Sequence, residues 1–141
     1  MPDRVLVALD GSKQSENALA YAVDTFPDAT LVCFHAIDPF DSDPEGADAE
    51  PLTESWLEGE HERADQLFDR ALEAVGVDAE RIERETSIGA PAESIVAYAE
   101  QEAIDGIVVG SYGRGEASHL KLGSVSEVVV RRAPVPVTVV R

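Results

Sequence analysis

Four short, largely apolar runs separated by stretches of helical spacing restrict the fold of this chain more than any other feature. They are Val5-Leu6-Val7-Ala8-Leu9, Ala29 to Ile37, Ile104 to Val109 and Pro134 to Val140. A strand covered on both faces needs no polar alternation, so a continuous run reads as an interior strand of a parallel sheet. Between the first two runs lies a helix. Ser12 or Ser15 caps it, Ala18, Leu19, Ala22, Val23 and Phe26 form its apolar stripe, and Pro27 closes it. Strand, helix, strand implies a right-handed crossover and an α/β architecture.

The rest of the chain extends this pattern. Thr53 to Val75 reads as a long amphipathic helix whose buried stripe is Trp56, Leu57, Ala64, Leu67, Phe68, Ala71, Leu72 and Val75. Gly76 is its stop. Arg81 to Thr86 alternates weakly and reads as an edge strand. Gly89-Ala90-Pro91-Ala92-Glu93 opens another helix, which carries Ile95, Val96 and Ala99, with Pro91 in its first turn. The last helix runs from about Ser124 to Arg132, with Arg131 and Arg132 suiting its C-terminal end. Pro134 to Val140 reads as the final strand, and Pro136 marks an edge position or a strand start. The acidic segment 38–52, punctuated by Pro39, Pro44, Gly46 and Pro51, reads as a mobile, solvated loop without chemistry of its own, with a lid over a ligand as the lesser alternative.

Chemistry concentrates between the fourth strand and the last helix. Gly110-Ser111-Tyr112-Gly113 through Gly123-Ser124 has the spacing G-x2-G-x9-G-S. Ser124 and Glu127 have the S-x-x-E spacing of a capping box, which fixes a helix start. Strand, glycine-bearing loop and helix N-terminus is the order a phosphate site needs. Glycines admit close backbone approach, and the helix end adds amide donors and partial positive charge.

Composition narrows the function classes. The 28 acidic residues against 11 basic ones give a net charge of -17, and Arg outnumbers Lys nine to two. No basic stripe or aromatic platform suits nucleic acid. No run approaches a membrane span, and Met1-Pro2-Asp3-Arg4 is not a signal sequence, so the expected compartment is the cytoplasm. The single cysteine, Cys33, reads as a small core residue. So large an acidic excess strains a folded chain by self-repulsion, which salt would screen, and this points to a halophilic host.

The chain resembles the universal stress protein family, in its ATP-binding branch. The glycine loop is the specific part. Val5 to Ser12, His35-Ala36-Ile37-Asp38, Gly89 to Ile95 and Ala133-Pro134-Val135-Pro136-Val137 are also similar to family segments and occur in the family's order. The resemblance spans nearly all of residues 1–141 and implies a single Rossmann-like domain of the adenine nucleotide alpha hydrolase-like type. Its open five-stranded parallel sheet would have strand order 3-2-1-4-5, with helices on both faces. Such sheets bind ligands at the switch point beyond the strands' carboxyl ends.

The family match further implies that Ala8 and Asp10 lie against the nucleoside, with Asp10 reaching the ribose. Ala36 and Val109 would flank adenine. Gly110 and Gly113 would let the chain approach ribose and phosphates. Gly123, Ser124, Val125 and Ser126 would offer amides and hydroxyls to the phosphates. The implied ligand is ATP, ADP or AMP, with Mg²⁺ or Mn²⁺ bridging phosphate oxygens. A homodimer joined through the last strand, residues 135–140, is also implied.

Other residues have plainer readings. Asp10 also suits the turn before the first helix. Arg114 and Lys121 suit either phosphate contact or a solvated loop. His61-Glu62-Arg63-Ala64-Asp65 has Asp where a zinc helix needs its second His, and reads as a solvent face. His35 reads as a satisfied histidine near the core, and His119 has no neighbouring ligand cluster. No G-x4-G-K-[ST] occurs, nor an evident base or arginine finger, so any hydrolysis or autophosphorylation should be slow. The expected role is a nucleotide-binding, dimeric stress-response switch. A family member that binds no nucleotide and serves as an interaction module is the alternative. A phosphorelay receiver is disfavoured, because Asp10 has no acidic neighbour at its strand end and no lysine follows the last strand.

Overall fold

A computed structural model describes residues 3–39, 52–111 and 123–141. The apolar runs become strands β1 (Arg4–Ala8), β2 (Thr30–Ile37), β4 (Gly106–Gly110) and β5 (Val137–Val140), and the weakly alternating segment becomes β3 (Ile82–Ile88). They form one sheet in the order β3-β2-β1-β4-β5, with every pairing parallel. Helices α1 (Lys13–Thr25), α2 (Glu54–Val75), α3 (Pro91–Gln101) and α4 (Ser124–Arg132) connect successive strands.

The period of two explains why the interior strands show no alternation. Val5, Val7, Leu31, Cys33 and Val108 face one core with Ala18 and Leu19 of α1 and Ala64 and Phe68 of α2. Leu6, Val32, Phe34, Ile107 and Val109 face a second core with Ile95 of α3 and Val129 of α4. Val5, Leu6 and Val7 are completely excluded from solvent. Each such side chain stabilises the fold by about 1.5–3 kcal/mol. The outer strand β3 is covered less, and its burial is mixed.

Helix boundaries follow local chemistry. The Ser12 hydroxyl caps α1 by accepting the Ser15 amide at 3.1 Å. Thr53 does the same for α2 with the Trp56 amide at 3.2 Å. Gly76 ends α2 with φ of 76°, a conformation that favours glycine. Pro91 takes the first position of α3. No basic residue sits in the last turn of α1; Arg81, just before β3, supplies the charge from outside. Its guanidinium donates to the carbonyls of Phe26 at 2.7 Å, Val23 at 3.4 Å and Ala29 at 3.4 Å.

Two sequence expectations are corrected. Ser124 is not the cap of α4. Gly123 is, with φ of -68°, and no side chain caps that helix, so Ser124 and Glu127 form no capping box. The backbone makes the first bond instead, Glu127 N–H to Gly123 C=O at 2.9 Å. The last strand begins at Val137 rather than Pro134. Pro136 still contributes an acceptor, its carbonyl taking the Ile107 amide at 2.9 Å. The expected acidic loop lies, apart from its ends, outside the described residues.

Because β1, β2, β3 and β4 each lead into a helix from the carboxyl end, all four helices start at the same rim of the sheet. There β1 and β4 lie side by side, while α1 departs to one face and α4 to the other.

Candidate functional site

A cavity of about 350 Å³ opens beyond the carboxyl ends of β1, β2 and β4. Its floor is Ala8, Leu9 and Asp10 from β1, Phe34 to Asp38 from β2, and Val109 and Gly110 from β4. One wall comes from Ser12 and Ser15 at the start of α1 and from Trp56, Glu60, Arg63 and Leu67 of α2. The other comes from Pro91 and Ile95 of α3 and Ser124, Val125 and Ser126 of α4. Ala8, Asp10, Ala36, Val109, Gly110, Ser124, Val125 and Ser126, scattered along the sequence, thus share one cavity. Gly123 adjoins it as the cap of α4 without lining it. Gly113 lies outside the described residues, as do Tyr112, Arg114, His119 and Lys121.

The first turns of α1, α2, α3 and α4 all contribute to the lining. A helix start carries partial positive charge, so these starts offer amide donors to an anion beside the Asp10, Asp38 and Glu60 carboxylates and the Arg63 guanidinium that also line the cavity. Asp10 serves the β1–α1 turn and the cavity together. Its Oδ1 accepts the Ser12 amide at 2.9 Å. The buried Ser15 hydroxyl tightens that turn by donating to the Ser12 carbonyl at 2.8 Å. His35 Nδ1 lies 2.9 Å from the Leu9 carbonyl. A carbonyl only accepts, so Nδ1 carries the proton. His35 is satisfied, as expected, yet it also lines the cavity.

At the start of α4 one carbonyl gathers both ends of segment 112–122. Ser111 C=O accepts the Gly123 amide at 2.5 Å and the Ser126 hydroxyl at 2.8 Å. That hydroxyl also lies 3.1 Å from the Gly123 carbonyl. Ser126 is 2% exposed. Its hydroxyl proton is therefore turned inward, and the group it has to offer a phosphate is its amide. Gly110 has a reason unrelated to any ligand. A Cβ there would stand 2.9 Å from Gln14 Cβ and 3.0 Å from the Gln14 carbonyl carbon and oxygen, so α1 itself demands glycine.

Sequence reasoning missed part of this lining. Trp56 and Leu67 were assigned to the buried stripe of α2 and Arg63 to a solvent face. In the structure Trp56, Glu60, Arg63 and Leu67 form a cavity-facing stripe, with Glu60 and Arg63 ion-paired, while Leu67 also packs against the core as its place in the buried stripe implies. The signal was the spacing i, i+4, i+7, i+11, adjacent to the core stripe and easily merged with it. Cys33 belongs to the core, as expected, where it is fully buried and burial pushes its thiol up to about 12.

The model of the universal stress protein family matches residues 1–141. The chain belongs to the universal stress protein family. A universal stress protein of Thermus aquaticus is 37% identical over 142 residues, covering 97% of each chain. Among solved structures, universal stress protein UspA from Lactobacillus plantarum superposes with a TM-score of 0.79 at 28% identity, over 99% of this chain and 97% of that one. A universal stress protein solved in complex with cAMP superposes with a TM-score of 0.64 at 27% identity, covering 99% and 97%. The Rossmann-like sheet described above is the arrangement these universal stress proteins share. Among the described residues, no helix is long and apolar enough to cross a membrane.

Proposed function

We propose that the cavity at the β1–β4 switch point binds an adenine nucleotide, and that the chain is a nucleotide-responsive regulatory protein of the stress response. One observation carries the reading: a cavity of about 350 Å³ whose floor is the strand ends and whose wall includes the first turn of α4. That size lies within the usual range for small-molecule sites, roughly 300–1,000 Å³. The complex of a related protein with cAMP supports the same ligand class. In this reading Ala8, Asp10, Ala36 and Val109 hold the nucleoside, and Gly123, Ser124, Val125 and the Ser126 amide face the phosphates, with Gly113 completing the loop.

ATP, ADP and AMP are the nucleotides proposed. Among the described residues no three potential ligand side chains converge on one point. A bridging Mg²⁺ or Mn²⁺ would therefore draw its ligands mainly from phosphate oxygens and water, with Asp10 one of the carboxylates that line the cavity. Hydrolysis, if present, stays below about 1 s⁻¹, the bottom of the usual enzyme range. The regulatory output is a change in the stability of a homodimer formed through residues 135–140. β5 is an edge strand with half-buried side chains, which suits that contact.

Denaturing freshly purified protein and chromatographing the supernatant tests the assignment, with equilibrium dialysis against AMP, ADP, ATP and cAMP beside it. Released nucleotide or saturable binding is the expected result. No release, together with no saturable binding up to millimolar concentration, overturns it. Light scattering with and without nucleotide tests the dimer. A second reading, an interaction module that binds no nucleotide, draws weight from Gly110, whose lack of a side chain α1 already requires.

A further inference from the structure

We propose that Trp56 is the surface on which the ligand's base rests, so that the outer end of α2 makes the cavity select a nucleoside rather than a bare phosphate. The inference rests on the nucleotide reading above and adds a base-recognising wall to it.

Three observations lead there. First, α2 has 22 residues, about 33 Å at 1.5 Å per residue, whereas the strands have four to eight. Its first turns therefore extend past the carboxyl rim of the sheet. Leu67 marks the level of the rim. Its Cδ1 lies 3.6 Å from where a Cβ on Gly11 would stand, immediately beyond β1. Trp56 precedes Leu67 by three turns on the same stripe, so it overhangs the cavity.

Second, Trp56 is not a core residue. Leu67, Leu72 and Val75 of α2 pack against the core on that face, but Trp56 belongs to neither core cluster. It is half-buried, and it lines the cavity. Thr53 accepts its backbone amide, which fixes the turn that carries the ring. An indole held against a cavity, and outside both core clusters of the described residues, is suited to stacking.

Third, the two ends of the cavity differ chemically. The start of α4, where an anion is favoured, lies on the β4 side and on the opposite face of the sheet from α2. β2, over which α2 crosses, is two strand spacings from β4, about 10 Å. A ligand with its phosphate at α4 therefore brings its other end, the base, toward Trp56.

Trp56 is the only tryptophan, so the protein's indole fluorescence reads this position alone. The experiment follows AMP and ATP by equilibrium dialysis and by fluorescence on the full chain, with inorganic tripolyphosphate as the base-free probe. Both nucleotides are expected to change the fluorescence along the same isotherm that dialysis gives, and tripolyphosphate to leave it unchanged. Trp56→Ala should weaken nucleotide binding about 10-fold, the effect typical of losing one base stack, without altering tripolyphosphate binding. Trp56→Phe should recover most of the affinity. If dialysis shows nucleotide bound while the fluorescence stays flat and Trp56→Ala binds normally, this inference fails and the nucleotide reading stands. If tripolyphosphate moves the signal as nucleotides do, Trp56 faces the phosphates and the inference is also overturned. If dialysis shows no nucleotide at all, the underlying reading fails first. Should Trp56→Ala not fold, the wild-type fluorescence and Trp56→Phe decide the matter.

Discussion

Ser126 illustrates how far residue types announce their roles. Its place beside the glycine-bearing segment suggests a hydroxyl for the ligand, but the fold uses that hydroxyl to hold the carbonyls of Ser111 and Gly123. Ser126→Ala removes this tie while leaving the Gly123 amide on the same carbonyl. A loss of about 0.5–1.5 kcal/mol is expected in urea unfolding, the usual worth of one hydrogen bond. Nucleotide affinity should fall as well, since the amides of α4 would be less firmly set. Unchanged affinity measured by dialysis would show that the tie has no bearing on the site. Gly110 carries a similar lesson. That a glycine stood at this strand end was legible, but its reason was not, because the colliding atoms belong to Gln14 in another element. Asp10 was read both ways from the sequence, and its carboxylate does hold the turn while lining the cavity.

Whole elements were more legible than their ends or their faces. The two-sided burial of β1, β2 and β4 leaves continuous apolar runs that a covered parallel strand explains; four strands lie on such runs and β3 on the weakly alternating segment. The capping box at α4 failed because S-x-x-E spacing does not say which residue leaves the helical conformation first; here Gly123 does. The two stripes of α2 merged in the sequence because both recur every three or four residues, and only tertiary packing separates core from cavity. Arg81 could be read only locally, as the start of a strand. In the structure it closes the C-terminus of α1, placing positive charge on the Val23 and Phe26 carbonyls that the helix leaves over and on the Ala29 carbonyl before β2. Arg81→Ala should destabilise the protein by about 1.5–3 kcal/mol, the range for hydrogen bonds to a charged group. Arg81→Lys should recover only part of this, since an ammonium lacks the planar fork that reaches several carbonyls. A urea midpoint unchanged in Arg81→Ala would remove Arg81 from the account of α1.

At the scale of the molecule, 28 acidic residues cannot be paired by 11 basic ones, and most of the excess must sit in water as mutual repulsion. Raising KCl from 0.1 M to 1 M shortens the screening length from about 10 Å to 3 Å, so the melting temperature should rise across that range. A melting temperature that is flat or falls with KCl would count against adaptation to salt. The convergence of helix starts at one rim adds a further consequence. That rim acts on an anion only within about the first turn of each helix, whereas the surplus acidic charge repels it from as far away as the screening length allows. Dissolved ions therefore ease the approach of an anion by the same screening that relaxes the folded chain.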